Sequence, residues 1–282
     1  MAFLEENNYA PFAEALVRVQ AQHPLVDCIT NIVTAGDVAN GLLAIGASPV
    51  MASAPEEITY FMAKADALLL NLGATPEEQR RAMLLGAAEA RRLGKPIVVD
   101  PVGIGTSPLR HAQLTALLRG AVAVIRGNIS EISALAGHKT MAGGVDASAS
   151  DAASLEASII MARTLAQKYH TVIAISGETD IVTDGARTLL IHGGSPQMTR
   201  VTGTGCTLTG LVAAFVAASG DALVATAAAI GMMCLAGDRA LAKVGPNATA
   251  SFRTAMFDAL SSIGPDDLRT NLSFEFIGGN HD

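Results

Sequence analysis

The run Ala67-Leu-Leu-Leu-Asn71, a segment with helical spacing from Pro76 to Leu93, and the run Pro96-Ile-Val-Val-Asp100 decide the fold. Both apolar runs are too short for ordinary helices and lack the alternation of a half-exposed strand. Strands buried on both faces read this way. The pattern repeats outward. Ser48-Pro-Val-Met51, Ala121-Val-Ala-Val-Ile125 and Thr171-Val-Ile-Ala-Ile-Ser176 read as further strands, and Thr34 to Ile45, Pro55 to Lys64, Ser107 to Leu118 and Ser148 to Tyr169 as further helices. Strands alternating with helices of this length predict an α/β fold, its parallel sheet covered by helices on both faces. Asp180 to His192 differs: two strands about a tight Asp184-Gly185 turn predict an antiparallel addition at one sheet edge. Two apolar helices follow, then a polar helix from Asn247 to about Ile263. No linker or internal repeat breaks the chain, so residues 1–282 read as one domain.

The chain has 282 residues, half of them hydrophobic and 16% charged, which excludes a wholly disordered protein. Nineteen Lys and Arg against 26 Asp and Glu leave a formal charge of −7. An acidic balance argues against nucleic acid as the main partner, because phosphate neutralisation needs a basic surface. The apolar half is rich in Ala and has no Trp. Such small apolar helices hint at contact with another subunit. Cys28, Cys206 and Cys234 form no CxxC, and their odd number favours a reducing cytoplasm. The first residues carry acids and no basic region, unlike a signal peptide. Val201 to Gly220 is uncharged and long enough to raise the question of a membrane span. Its Thr-Gly opening, the break at Asp221 and the absence of basic flanks favour two helices buried in a core.

Ligands in parallel α/β sheets gather beyond the carboxyl ends of the strands. Here those ends are Met51, Asn71-Leu-Gly73, Asp100-Pro-Val-Gly103, Arg126-Gly-Asn128 and Ser176-Gly-Glu178. The most informative segment is Val201-Thr-Gly-Thr-Gly-Cys-Thr-Leu-Thr209, which leads into an apolar helix. Its glycines leave amides unobstructed, and the helix start adds unpaired N–H groups, so Gly203, Thr204, Gly205 and Cys206 form a candidate anion hole. The plainer alternative is an N-cap supplied by a Thr side chain. Cys206 in the first turn is expected to have a lowered pKa, or else to be a small buried hydrophobe. Glu131 serves either the helix dipole or water on a divalent cation, with Asn128 adding an amide oxygen. Asp100 is a second carboxylate candidate, and Arg126 offers a planar fork for phosphate. The six histidines lack metal-ligand spacing, and no GxSxG occurs.

Cys28-Ile-Thr-Asn31, Asp37-Val-Ala-Asn-Gly-Leu-Leu-Ala-Ile-Gly-Ala-Ser-Pro-Val-Met51, Asp100-Pro-Val-Gly103, Arg126-Gly-Asn-Ile-Ser-Glu131 and Thr202-Gly-Thr-Gly-Cys206 occur in this order. Together they resemble the hydroxyethylthiazole kinase family of the ribokinase-like superfamily, over about Leu25 to Ala242. The resemblance implies a ribokinase-like three-layer fold and transfer of the ATP γ-phosphate to the primary hydroxyl of 4-methyl-5-(2-hydroxyethyl)thiazole, with Mg²⁺, in thiamine salvage. It implies that Met51 and Gly203 contact the thiazole and that Arg126 and Ser176 contact ATP. Asp100 and Glu131 match acidic positions of the magnesium region, acting directly or through water. It also implies a homotrimer with sites at subunit interfaces. The sequence departs from the family at Asp27, where His or another residue is expected.

Phosphoryl transfer rests mostly on positioning and charge stabilisation. The expectation for Cys206 is therefore help with late proton removal and pocket shape, since a thiol of pKa ~8.5 is only a few per cent thiolate at neutral pH. A related kinase of hydroxymethylpyrimidine or pyridoxal, a non-catalytic nucleotide-binding protein on the same fold, and a dehydrogenase are the competing readings. The CITN segment and the Gly-Thr-Gly-Cys ending speak against the first. The joint presence of Asp100, Glu131 and Arg126 speaks against the second, and the missing glycine fingerprint against the third.

Overall fold

A computed structural model describes residues 8–137 and 151–278, with side chains described from residue 154 in the second segment. The first seven residues, His138, residues 148–150 at the start of the helix expected from Ser148, and His281 lie outside the described residues. Among the described residues nine strands form one sheet: β1 Leu25–Ile29, β2 Ser48–Val50, β3 Ala67–Asn71, β4 Ile97–Asp100, β5 Val124–Asn128, β6 Val172–Ser176, β7 Thr179–Thr183, β8 Thr188–His192 and β9 Ser273–Ile277. Their spatial order is β2-β1-β3-β4-β5-β6-β7-β8-β9. Pairings from β2 to β6 are parallel, and those from β6 to β9 are antiparallel. The parallel sheet and its antiparallel edge thus follow the sequence reading.

Side chains alternate across the strands, so each strand feeds two cores. Val26, Cys28, Leu69, Val98, Val124 and Ala174 face helices α1 (Ala10–Gln22), α2 (Ala35–Ala44), α8 (Thr204–Ala218), α9 (Ala222–Val244) and α10 (Ala250–Ser262). Ile29, Leu68, Leu70, Val99, Ile125 and Ile173 face α3 (Ile58–Lys64), α4 (Glu77–Arg92), α5 (Pro108–Leu117), α6 (Ile129–Leu135) and α7 (Asp151–Tyr169). This is a three-layer arrangement. The crossover from β1 to β2 runs through α2 on one face, while those from β2 onward to β6 run on the other. The strand order therefore reverses beside β1 and β3, where α/β sheets place their ligands.

Five elements depart from the sequence reading in existence or extent. β1 is not among the expected strands, because Asp27 interrupts the apolar run; the fold buries that carboxyl completely. β5 begins three residues later than expected and continues through Arg126, which is only 7% exposed. A charged residue ends an apolar run by composition, yet this one is accommodated by the site described below. The N-terminal segment forms α1, and the tail after Gly264 forms α11 (Pro265–Thr270) and the edge strand β9. Finally, α8 from Thr207 onward is mostly buried within the chain itself, and so is α9 from Leu223 to Gly237. Their apolar character is used up in this core and carries no argument for a partner subunit. Among the described residues α9 is the one helix long and apolar enough to cross a membrane, and most of it is buried.

Candidate active site

Alternation along the strands places the polar strand ends. Asn71, Asp100, Arg126 and Ser176 each lie two residues beyond an apolar residue that faces α8, namely Leu69, Val98, Val124 and Ala174. All four therefore emerge on the α8 face. Register aligns them further: Asn71 pairs with Asp100 between β3 and β4, and Asn128 with Ser176 between β5 and β6. Asp100, Arg126, Glu131, Ser176 and residues Gly203 to Cys206 all line one cavity of about 870 Å³. The structure thus brings together every expected site residue except Met51.

The start of α8 resolves the two readings of the Thr-Gly-Thr-Gly-Cys segment. Gly203 is the N-cap, with φ +90°, and no side chain caps the helix. A side chain on Gly203 would be strained by that φ and would approach Thr34 Cγ2 at 3.1 Å. Thr204 Oγ1 instead donates backward to the carbonyls of Met198 (3.1 Å) and Val201 (2.9 Å). The capping role considered for Thr is not taken up. The first-turn N–H groups belong to residues that line the cavity and take no side-chain cap, and the helix dipole favours an anion there.

Arg126 lies against this turn: a Cβ on Gly205 would come within 2.7 Å of Arg126 Nη1. Arg126 Nη2 donates to Ser176 Oγ at 2.6 Å, while Nε is buried without a partner. Asp100 is 1% exposed and its Oδ2 accepts from Thr209 Oγ1 and Asn71 Nδ2, both at 2.9 Å. Burial raises the Asp100 pKa to about 6; the Arg126 charge opposes this, and the Glu131 charge adds to it. Glu131 and Asn128 form a reciprocal capping box at the start of α6, with both bonds at 2.9 Å. Glu131 Oε1 also accepts from the Gly103 amide at 3.1 Å. The helix-start role and the cavity-wall position of Glu131 therefore coexist, and Asn128 spends its amide oxygen on the cap.

Cys206 contradicts its expected acidity. Burial and the neighbouring Asp100 charge raise its pKa above the ordinary thiol value, against hydrogen bonds from Thr34, Asn71 and Asn31 that pull it down. Helix position alone suggests a thiolate; desolvation beside a carboxylate wins. Met51 lines a separate cavity of about 400 Å³ with Cys28, Thr30, Ile32, Ala35 and Gln79 among its neighbours. Within one chain, Met51 and Gly203 do not share a cavity. The segment from Thr30 to Ala35 lies between them, with Thr34 against Gly203.

Could these residues hold a divalent cation? Among the described residues no cluster of three His, Cys, Asp or Glu side chains exists. An all-protein cage is thereby absent. Magnesium retains several waters and needs only one or two carboxylates. Asp100 and Glu131 meet that requirement: they share a wall and repel each other, which a cation relieves.

Sequence comparison gives the family. A profile described as the hydroxyethylthiazole kinase family matches residues 16–266. The chain belongs to the hydroxyethylthiazole kinase family. It is 47% identical over 253 residues to the hydroxyethylthiazole kinase of Klebsiella pneumoniae (strain 342), covering 90% of this chain and 96% of the relative. To that of Methanoculleus marisnigri it is 42% identical over 264 residues, covering 93% and 92%. Among solved structures, the hydroxyethylthiazole kinase protein from Pyrococcus horikoshii OT3 superposes with a TM-score of 0.86 at 36% identity, covering 94% of this chain and 98% of the other. Staphylococcus aureus pyridoxal kinase in complex with pyridoxal gives 0.62 at 14% identity over 90% and 98%, a likeness of fold alone. Kinase family membership is incompatible with the dehydrogenase and non-catalytic readings.

The sequence reading assigned no role to three contributors to this site, although it quoted Asn31 in a motif and Asn71 as a polar strand end. Asn31 and Asn71 contact Cys206, and Asp180 accepts from the Gly177 amide at 3.0 Å on the cavity wall. The polar end of a fully apolar strand placed Asn71 at the rim, but nothing local pointed to its contact with Cys206.

Proposed function

We propose that this protein transfers the γ-phosphate of ATP to the primary hydroxyl of 4-methyl-5-(2-hydroxyethyl)thiazole, in thiamine salvage. The uncapped start of α8, with buried Arg126 packed against it on the wall of a cavity of about 870 Å³ in a chain of this family, carries the reading. The amides of Gly203 to Cys206 receive the oxygens of the migrating phosphoryl group, where charge grows in the transition state. Arg126, held by Ser176, offsets charge on the nucleotide phosphates. The alcohol oxygen bonds to the γ-phosphorus as the bond to the ADP oxygen breaks. The alcohol proton leaves late, to an oxygen of the transferred phosphoryl group or to the minor thiolate form of Cys206, because the protonated thiol that burial favours cannot accept it. Asp100 and Glu131 are the residues that would hold Mg²⁺, whose charge would offset that of the phosphates.

Met51 and Gly203 contact the thiazole, and a homotrimer reconciles this with their separate cavities. Ile32 and Val33, 86% and 66% exposed beside the Met51 cavity, offer the apolar surface that a second copy covers. A cytoplasmic site of action fits three free cysteines. The test is ADP release measured with hydroxyethylthiazole, pyridoxal and hydroxymethylpyrimidine, with and without Mg²⁺. Thiazole- and Mg²⁺-dependent release is expected; release with another alcohol alone overturns the substrate assignment.

A further inference from the structure

Two backbone amides orient a chain of side chains at the sheet's reversal point. The Gly73 N–H donates to Asn71 Oδ1 at 3.0 Å, and the Thr34 N–H donates to Asn31 Oδ1 at 3.2 Å. A backbone N–H can only donate, so each asparagine oxygen is identified and each amide nitrogen must point the other way. Asn31 Nδ2 then donates to Asn71 Oδ1 at 3.1 Å and lies 3.6 Å from Cys206 Sγ. Asn71 Nδ2 uses its two hydrogens on Asp100 Oδ2 at 2.9 Å and Cys206 Sγ at 3.2 Å. Asn71 is fully buried, and every hydrogen-bonding valence it has is filled. It cannot rotate without breaking four contacts.

We propose that Asn71 is a positioning residue that acts through Cys206: its N–H donation holds the sulfur as an acceptor at the phosphoryl-transfer site. Sulfur accepting on that side turns any S–H bond away from the asparagines. The same amide ties the sulfur's position to Asp100, so two groups on different layers of the site, one on β4 and one on α8, move as a unit. Neither asparagine is on the wall of the large cavity, so Asn71 reaches it through Cys206 and Asp100, which are. This inference rests on the kinase reading only for its effect on turnover; the effect on the sulfur itself stands apart from substrate identity.

The test compares wild type with Asn71→Leu, which keeps the branched heavy-atom skeleton and removes both the donor and the acceptor of the amide. Two quantities are read: the rate at which iodoacetamide alkylates Cys206 at one fixed pH, by peptide mass spectrometry, and the steady-state constants for ATP and the thiazole alcohol. Donation to sulfur favours the reactive anion, so alkylation of Cys206 is expected to slow about five-fold or more. The value of kcat is expected to fall about ten-fold or more, with both KM values within about three-fold of wild type. Unchanged alkylation, or raised KM values with unchanged kcat, overturns the proposal. Should Asn71→Leu fail to fold, Asn71→Ala carries the same measurements. Slowed alkylation in a protein whose wild type phosphorylates no thiazole sinks the substrate assignment and leaves Asn71's hold on the sulfur standing. Thiazole phosphorylation with unmoved alkylation does the reverse.

Discussion

Asp27 gives the sharpest test of how burial sets this protein's stability. It sits in the middle of β1, on the face opposite α8, with no exposed surface and no well-formed hydrogen bond to either carboxyl oxygen. Burial raises its pKa from 3.8 to about 7; the charge of Glu57 adds to this, and the nearby backbone N–H groups of Ala52 and Cys28 oppose it. The folded state therefore holds the proton more tightly than the unfolded chain. The stability this contributes is full below the unfolded value and is lost as pH rises through about 7. A gap of about three pH units between the two states corresponds to about 4 kcal/mol. The amide side chain introduced by Asp27→Asn is neutral at every pH and has nearly the same shape as the carboxyl it replaces. The variant is expected to be close to wild type in stability at about pH 4 and about 4 kcal/mol more stable at about pH 8.5. Urea unfolding of both proteins across that range measures the difference. Asp100 and Asp180, which burial also raises, titrate in both proteins and cancel to first order. A difference that stays flat with pH, or grows toward acid, refutes the reasoning that desolvation dominates at this position.

Three other outcomes follow from the site. Gly205→Ala places a Cβ 2.7 Å from Arg126 Nη1 and forces the guanidinium aside. ATP affinity by calorimetry is expected to fall about ten-fold or more, while the unfolding midpoint moves little. Cys206→Ser is expected to retain measurable thiazole kinase turnover, because amides and Arg126 do most of the stabilising; complete loss with intact binding of both substrates would show Cys206 to be essential. Arg126→Lys removes the fork that engages Ser176 at 2.6 Å, and is expected to raise the KM for ATP about ten-fold or more in steady-state assays.

Sequence by itself determined the order of strands and helices from β2 to β8, because fully buried strands carry the apolar runs that composition reveals. It also singled out Asp100, Arg126, Glu131, Ser176 and Gly203 to Cys206 as candidates, since polar residues and glycines flanking apolar runs stand out against them, and the fold gathers these around one cavity. The segments it did not yield share one physical cause: their environment is made by distant parts of the chain. β1 hides behind Asp27, whose burial depends on the sheet and the layer that cover it. β9 is a strand only because β8 offers it an edge. The acidity of Cys206 is misjudged from its helix position, because the opposing influences are burial and an Asp100 that lies 106 positions earlier in the chain. Likewise nothing in either local segment announces that Asn31 and Asn71 meet; strand order brings β1 beside β3. Local patterning is encoded in neighbouring residues, whereas desolvation and directed hydrogen bonds arise only when remote segments close around a group, and tertiary structure alone decides which groups those are.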